Sequence, residues 1–221
     1  MKTPKIRLAG LAFFLVPTTA DVEAEERAAC AYDRNAILQL DPNMFDQDDK
    51  AGWRELANRD GCQAAAADAI ALYIESHRET LVRQWQLPSF KWHEAQLRAM
   101  AGQVSQATRL MRQSIKPEKG PEGFEGWTDY ALPWNQYVLA TIAFLEGDMD
   151  ALKEARDRLA NSPMPPGFDT LDRSQVSVPP SWPQNLDVVD GLIACIGQPY
   201  QEAYGSAHCR DVGKQEARRK H

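Results

Sequence analysis

Residues 133–160, PWNQYVLATIAFLEGDMDALKEARDRLA, carry the clearest structural signal in the chain. In the first half of this stretch the side chains of one face recur at steps of three, one, three, one and three: Trp134, Tyr137, Val138, Thr141, Ile142 and Leu145. Such spacing is typical of one face of an α-helix. Gly147-Asp148 predicts a turn, and Leu152, Ala155 and Leu159 form the apolar stripe of a second helix. The stretch therefore predicts two helices that fold back on each other as a hairpin.

The helical period continues outward in both directions. Further amphipathic segments cover residues 24–40, 49–59, 62–73, 89–101, 104–115 and 184–195, and a short helix follows Pro199. No run alternates with the period of a β-strand, and the best candidate, residues 175–178, stands directly before two prolines. We therefore predict an all-α fold, as a single domain over residues 21–210.

Two long loops and a tail interrupt the helices. Residues 116–132 are rich in glycine, proline and acidic residues, and residues 161–183 contain six prolines, which exclude a helix. The last residues, 211–221, are charged and predict a disordered tail. Residues 185–210 predict a hairpin that caps the end of the fold.

The helices resemble those of the tetratricopeptide repeat family. Residues 101–117, AGQVSQATRLMRQSIKP, are similar to the second helix and closing proline of such a repeat, and residues 144–155, FLEGDMDALKEA, to the turn and second helix of another. The turn glycines Gly61, Gly102 and Gly147 are 41 and 45 residues apart, whereas the family period is 34. The resemblance implies an α-solenoid of antiparallel helical hairpins. An irregular helical bundle is the alternative.

This resemblance also implies a concave surface, formed by the first helix of each pair, that holds an extended protein or peptide partner. The residues of helices 89–101 and 133–146 that would line it are Trp92, Gln96, Trp134, Tyr137, Thr141 and Phe144. An aromatic stripe at helical spacing also occurs in ordinary cores, so the same side chains have a purely structural interpretation.

The amino terminus has the pattern of a secretory signal peptide over residues 1–20. Lys2, Lys5 and Arg7 precede a nine-residue apolar run, residues 8–16, which is too short to span a membrane. We expect cleavage after Ala20, or alternatively after Ala24. The sequence thus predicts a bacterial periplasmic or secreted protein without stable membrane insertion after cleavage.

Export changes the interpretation of the four cysteines. An even number of cysteines in an oxidising compartment predicts disulfides, and no C-x-x-C spacing indicates a metal or redox site. Of the three possible pairings we favour Cys30–Cys62 and Cys195–Cys209, because each pair lies within one helical neighbourhood.

The remaining chemistry is sparse. The net charge of −6 argues against nucleic-acid binding, which needs a basic face. His93-Glu94 is half of an H-E-x-x-H zinc motif, but Leu97 stands where the second histidine is required. We therefore assign no catalytic residue, metal or cofactor. Glu94 is the one residue that we nominate as a general acid if the protein is an enzyme.

Three functions are compatible with these observations. A protein- or peptide-binding adaptor in the periplasm fits the helical array and the absence of a catalytic constellation. The alternatives are a cell-envelope enzyme that acts on wall glycan, and an immunity or inhibitor protein against an envelope-targeted toxin.

Overall fold

The computed structural model of the protein describes residues 29–123, 126–168 and 182–219. These residues form eleven helices and no strand: α1 (Arg34–Leu38), α2 (Pro42–Gln47), α3 (Gly52–Ala57), α4 (Gln63–Arg83), α5 (Leu87–Met100), α6 (Val104–Gln113), α7 (Trp127–Glu146), α8 (Met149–Ala160), α9 (Leu186–Ala194), α10 (Tyr200–Gly205) and α11 (Ala207–Arg219). The all-α prediction is confirmed. The predicted signal peptide, residues 1–20, lies outside the described residues.

The first three helices are short, and aspartate side chains cap the first two of them. The Asp33 carboxylate accepts hydrogen bonds from the first backbone N–H groups of α1, and Asp41 does the same for α2. Pro42 is the first residue of α2, a position at which proline is tolerated because its missing N–H would have no intrahelical partner. These helices pack on α4 and α5 around the stacked rings of Phe45 and Tyr73, whose centroids are 3.9 Å apart.

Helix α5 belongs to two cores at once. Its Phe90 and Leu97 complete the core beneath α1–α4. Its Trp92, Ala95 and Ala99 enter a second core, which α6–α11 complete. Consequently α5 ties the amino-terminal helices to the rest of the described chain.

Glycine turns join the paired helices at the predicted places. Helix α5 packs beside α6 and α7 beside α8. Gly102 (φ 74°) and Gly147 (φ 72°) lie in the left-handed region that glycine reaches without strain, and each follows the last turn of its helix. The Asp148 side chain then caps α8.

The predicted loop 116–132 is too long. Helix α7 begins at Trp127, so residues 127–132 are helical and Pro133 lies inside the helix. Tertiary contacts hold these extra turns, since the Trp127 indole N–H donates to the Pro117 carbonyl and the ring packs edge-on against Trp85. Within the predicted loop 161–183, the described parts carry no helix.

The prediction of a disordered tail from residue 211 is also wrong, because α11 continues to Arg219. Helices α9 and α11 cross with their backbones in close contact. A Cβ atom on Gly213 would lie 1.9 Å from the Asp187 carbonyl oxygen, and one on Gly191 would lie 2.8 Å from that of Cys209. The two glycines therefore permit a packing that fixes the carboxyl-terminal helix.

Covalent and ionic links reinforce both cores. The disulfides join Cys30 to Cys62 in the amino-terminal core and Cys195 to Cys209 in the second, which is the pairing favoured because each pair lies within one helical neighbourhood. The buried Arg156 guanidinium on α8 contacts both carboxylate oxygens of the buried Asp190 on α9, at 2.7 and 3.3 Å. Such a two-point pair fixes the orientation of α9 against α8.

Candidate functional site

The structure brings the six predicted groove residues together. The Trp92 ring centroid lies 5.5 Å from that of Trp134 and 4.9 Å from that of Tyr137. However, Trp92, Tyr137, Thr141 and Phe144 are buried. Only Trp134 and Gln96 keep partial exposure.

The groove between α5 and α7 is filled by the chain itself. Tyr200 of α10 is buried there, its ring 6.2 Å from that of Phe144, and the Gln96 side chain donates a hydrogen bond of 3.3 Å to its hydroxyl. Burial raises the pKa of Tyr137 and of Tyr200 above the usual value for tyrosine. Interpreting Trp92, Tyr137, Thr141 and Phe144 as an open binding surface is therefore wrong, because α10 converts that surface into core.

The nominated general acid, Glu94, is enclosed. Its relative exposure is 3%, and burial raises the pKa of its carboxyl group, against the opposing effect of Lys91 and Arg98. Lys91 lies 3.5 Å and Arg98 3.8 Å from the carboxylate, and Arg98 also pairs with Asp68 at 2.6 Å. The group is thus part of an ion-pair network between α4 and α5, and it presents no open carboxyl to a substrate.

His93 has a carboxylate partner on a neighbouring helix. Its Nδ1 lies 2.7 Å from the Asp46 carboxylate, which also accepts the indole N–H of Trp53 at 2.9 Å. Burial opposes ionisation of Asp46, but the bonds from His93 and Trp53 outweigh it and hold the pKa of Asp46 below its usual range. The network connects α2 and α3 to α5. No group of three or more metal-ligating side chains occurs among the described residues.

A cleft at the glycine-turn end of the molecule has a volume of about 540 Å³. Turns α5–α6, α7–α8 and α9–α10 form its walls, and Phe144, Ile196 and Tyr200 contribute apolar surface. Glu146 is the one charged residue among those that line it. Because Glu146 is the one carboxylate among its lining residues, the cleft does not present the pair of carboxyl groups that hydrolysis of a glycan ordinarily uses.

The opposite end of the molecule exposes apolar side chains. Val82, Trp85, Leu132 and Met164 account for four of the seven large hydrophobic residues that are exposed in the described part of the chain. Trp85 lies in the link between α4 and α5, and its φ of 58° is in the left-handed region, which is rare for a bulky residue. The edge-on contact of Trp85 with Trp127, at 5.4 Å between ring centroids, joins this link to the start of α7.

We call Val82, Trp85, Trp127, Leu132 and Met164 the tryptophan end. Residue Pro166, just after Met164, packs beside Gly126, so the segment after α8 reaches the same end as the start of α7. Sequence reasoning missed this surface, because no periodic signal marks residues in the links between helices.

Comparison with protein-family models, with curated proteins and with solved structures finds no match for this chain. Among the described helices, none has both the length and the apolar character that crossing a membrane requires. A function for this chain is therefore inferred from its own geometry.

Proposed function

We propose that the protein is an exported, tetratricopeptide-like helical-repeat module that binds a protein partner through the tryptophan end. The helix pairs α5–α6 and α7–α8, each closed by a left-handed glycine, support the repeat interpretation. The two disulfides support export, because such bonds persist in oxidising compartments.

The observation that carries this proposal is the exposure of Trp85 from a strained backbone. A left-handed conformation costs a bulky residue about 1–2 kcal/mol, and 41% of the Trp85 surface nevertheless remains in water. The left-handed residue closes α4, because the Trp85 N–H donates to the Val82 carbonyl and the Gln86 N–H to that of Leu81, at a position where glycine is usual. A tryptophan in this position, with part of its indole left in water, motivates the proposal of an external contact. Tryptophan is also among the residue types that dominate binding energy in protein interfaces.

The groove of the repeat does not serve as the binding surface in this proposal, since α10 fills it. Nor does the enclosed Glu94 support the alternative of a wall-glycan enzyme. The acidic net charge of −6 favours a partner with a basic patch, whose association weakens as salt screens the charges. An immunity or inhibitor protein would be one form of such a binding module.

Affinity capture from envelope extract tests the proposal, with the disulfides intact. Trp85→Ser is compared with Leu139→Ser, a matched control because Leu139 is also 41% exposed but lies outside the tryptophan end. We expect one partner to be retained by the wild-type protein and by Leu139→Ser, and lost by Trp85→Ser. Equal retention by both variants, or no partner at all, would contradict the proposal.

A further inference from the structure

Lys116 occupies an unusually well-fixed position just after α6. Its backbone N–H donates to Oδ1 of Asn135 at 2.8 Å, and Nδ2 of Asn135 donates back to its carbonyl at 3.0 Å. Its ammonium group lies 4.5 Å from the ring centroid of Trp134 and 5.9 Å from that of Trp127. A loop lysine is thus held in one place by three side chains from α7.

The charge of this lysine has no acidic counterpart in the part of the chain that the structure describes. Among the described residues, no carboxylate forms an ion pair with Lys116, and burial lowers the pKa of its amine. A partly desolvated cation without a counter-ion attracts an anion from solution more strongly than an exposed lysine does, because the local dielectric is low.

A small pocket opens beside the ammonium group. Its volume is about 70 Å³, and the residues that line it include Lys116 itself, Tyr130, Trp134, Trp182, Gln184 and Asn185. This is the space of a few water molecules, which suits a carboxylate group and is too small for a sugar ring. A ligand that fills the pocket must therefore keep the remainder of its structure outside, against the surrounding rings.

The indole rings around the pocket are anchored so that their N–H groups are already used. Trp134 and Trp182 donate to the carbonyl oxygens of Ser114 and Ser162, both at 3.0 Å. These rings can offer a ligand only their carbon surfaces. The negative face of an indole attracts the weakly positive C–H groups of a sugar ring, while the neighbouring amides suit its hydroxyl groups.

We propose that the pocket at Lys116 binds the carboxylate of an acidic saccharide, whose sugar ring packs on the adjacent indole surfaces. The site is separate from the protein partner proposed for the tryptophan end and does not depend on it. Lys116 provides the charge-assisted hydrogen bond, and Asn135 holds Lys116 in place.

Isothermal titration calorimetry with trigalacturonic acid tests this assignment, with the neutral trisaccharide maltotriose as comparison. We expect the acidic probe to bind about tenfold more tightly or better, which is the effect of one charge-assisted hydrogen bond. Lys116→Met should lose at least the same factor. Lys119→Met, which removes an exposed lysine of the same loop, should leave binding unchanged.

Equal affinity for the two probes, or no binding of trigalacturonic acid, would overturn the proposal. This comparison uses the wild-type protein alone, so it stands even if Lys116→Met fails to fold. Equal loss in Lys116→Met and Lys119→Met would also overturn it, since it would indicate attraction to the loop in general. Tighter binding of inorganic phosphate than of trigalacturonic acid would replace the saccharide by a phosphate group.

Discussion

Replacing Gly213 by alanine tests the crossing of α9 and α11 most sharply. The new Cβ would lie 1.9 Å from the Asp187 carbonyl oxygen, whereas ordinary contact begins at 3.4 Å. The obstacle is backbone, which cannot rotate away as a side chain does, so the helices must separate by about 1.5 Å, the difference between these distances. Overpacking of this kind costs about 3 kcal/mol, at the upper end of the usual range.

Alanine also has a better helix propensity than glycine by about 1 kcal/mol, which opposes this cost. We therefore expect Gly213→Ala to lower the free energy of unfolding by about 2 kcal/mol. For a chain of this size the melting temperature should fall by about 4–8 °C. Urea and thermal unfolding, followed by circular dichroism, measure both quantities.

Gly205→Ala is the matched control, because a Cβ atom at Gly205 meets nothing within 4 Å. It should leave the stability unchanged or raise it slightly. If Gly213→Ala is as stable as Gly205→Ala, the close crossing of α9 and α11 is refuted, and with it the reason for an ordered α11.

Three further perturbations probe other parts of the fold. Arg156→Met should lower the free energy of unfolding by about 3–5 kcal/mol, because it leaves the buried Asp190 unpaired; urea unfolding should show no such loss in the double variant Arg156→Met/Asp190→Leu. Asp46→Asn should destabilise the protein at neutral pH. Since folding lowers the pKa of Asp46, its ionised form contributes stability that is fully present above the unfolded value of about 3.9 and is lost as the pH falls through the lower folded value. The difference in melting temperature between the two proteins should therefore be largest at pH 7 and shrink as the pH falls below about 3.9. Replacing Cys195 and Cys209 together by serine opens a covalent link between residues 14 apart and should cost about 3 kcal/mol, measurable as a lower urea midpoint.

The helices were predictable from the sequence where their signal is local. The stripe from Trp134 to Leu145 and the turn glycines define two paired helices without any knowledge of the fold. The first turns of α7 were not predictable, since Pro133 and nearby glycines disfavour a helix locally, and the contacts of Trp127 with Pro117 and Trp85 override that preference.

The functional surfaces were much less predictable. The aromatic stripe of α5 and α7 gives no indication that Tyr200, more than fifty residues further along the chain, will cover it. The left-handed conformation of Trp85 leaves no mark in the sequence. The position of Lys116 likewise depends on Asn135, nineteen residues away, and on rings that only the folded chain assembles.

Hydrogen exchange on the complex with the captured partner tests most directly where binding occurs. We expect the partner to lie on the tryptophan end, while α10 stays in the groove. Amide exchange should therefore slow in residues 82–88 and 126–132, with α10 (Tyr200–Gly205) unchanged. Slower exchange along α5 and α7 together with faster exchange in α10 would contradict this, because it would mean that the partner displaces Tyr200 and enters the groove.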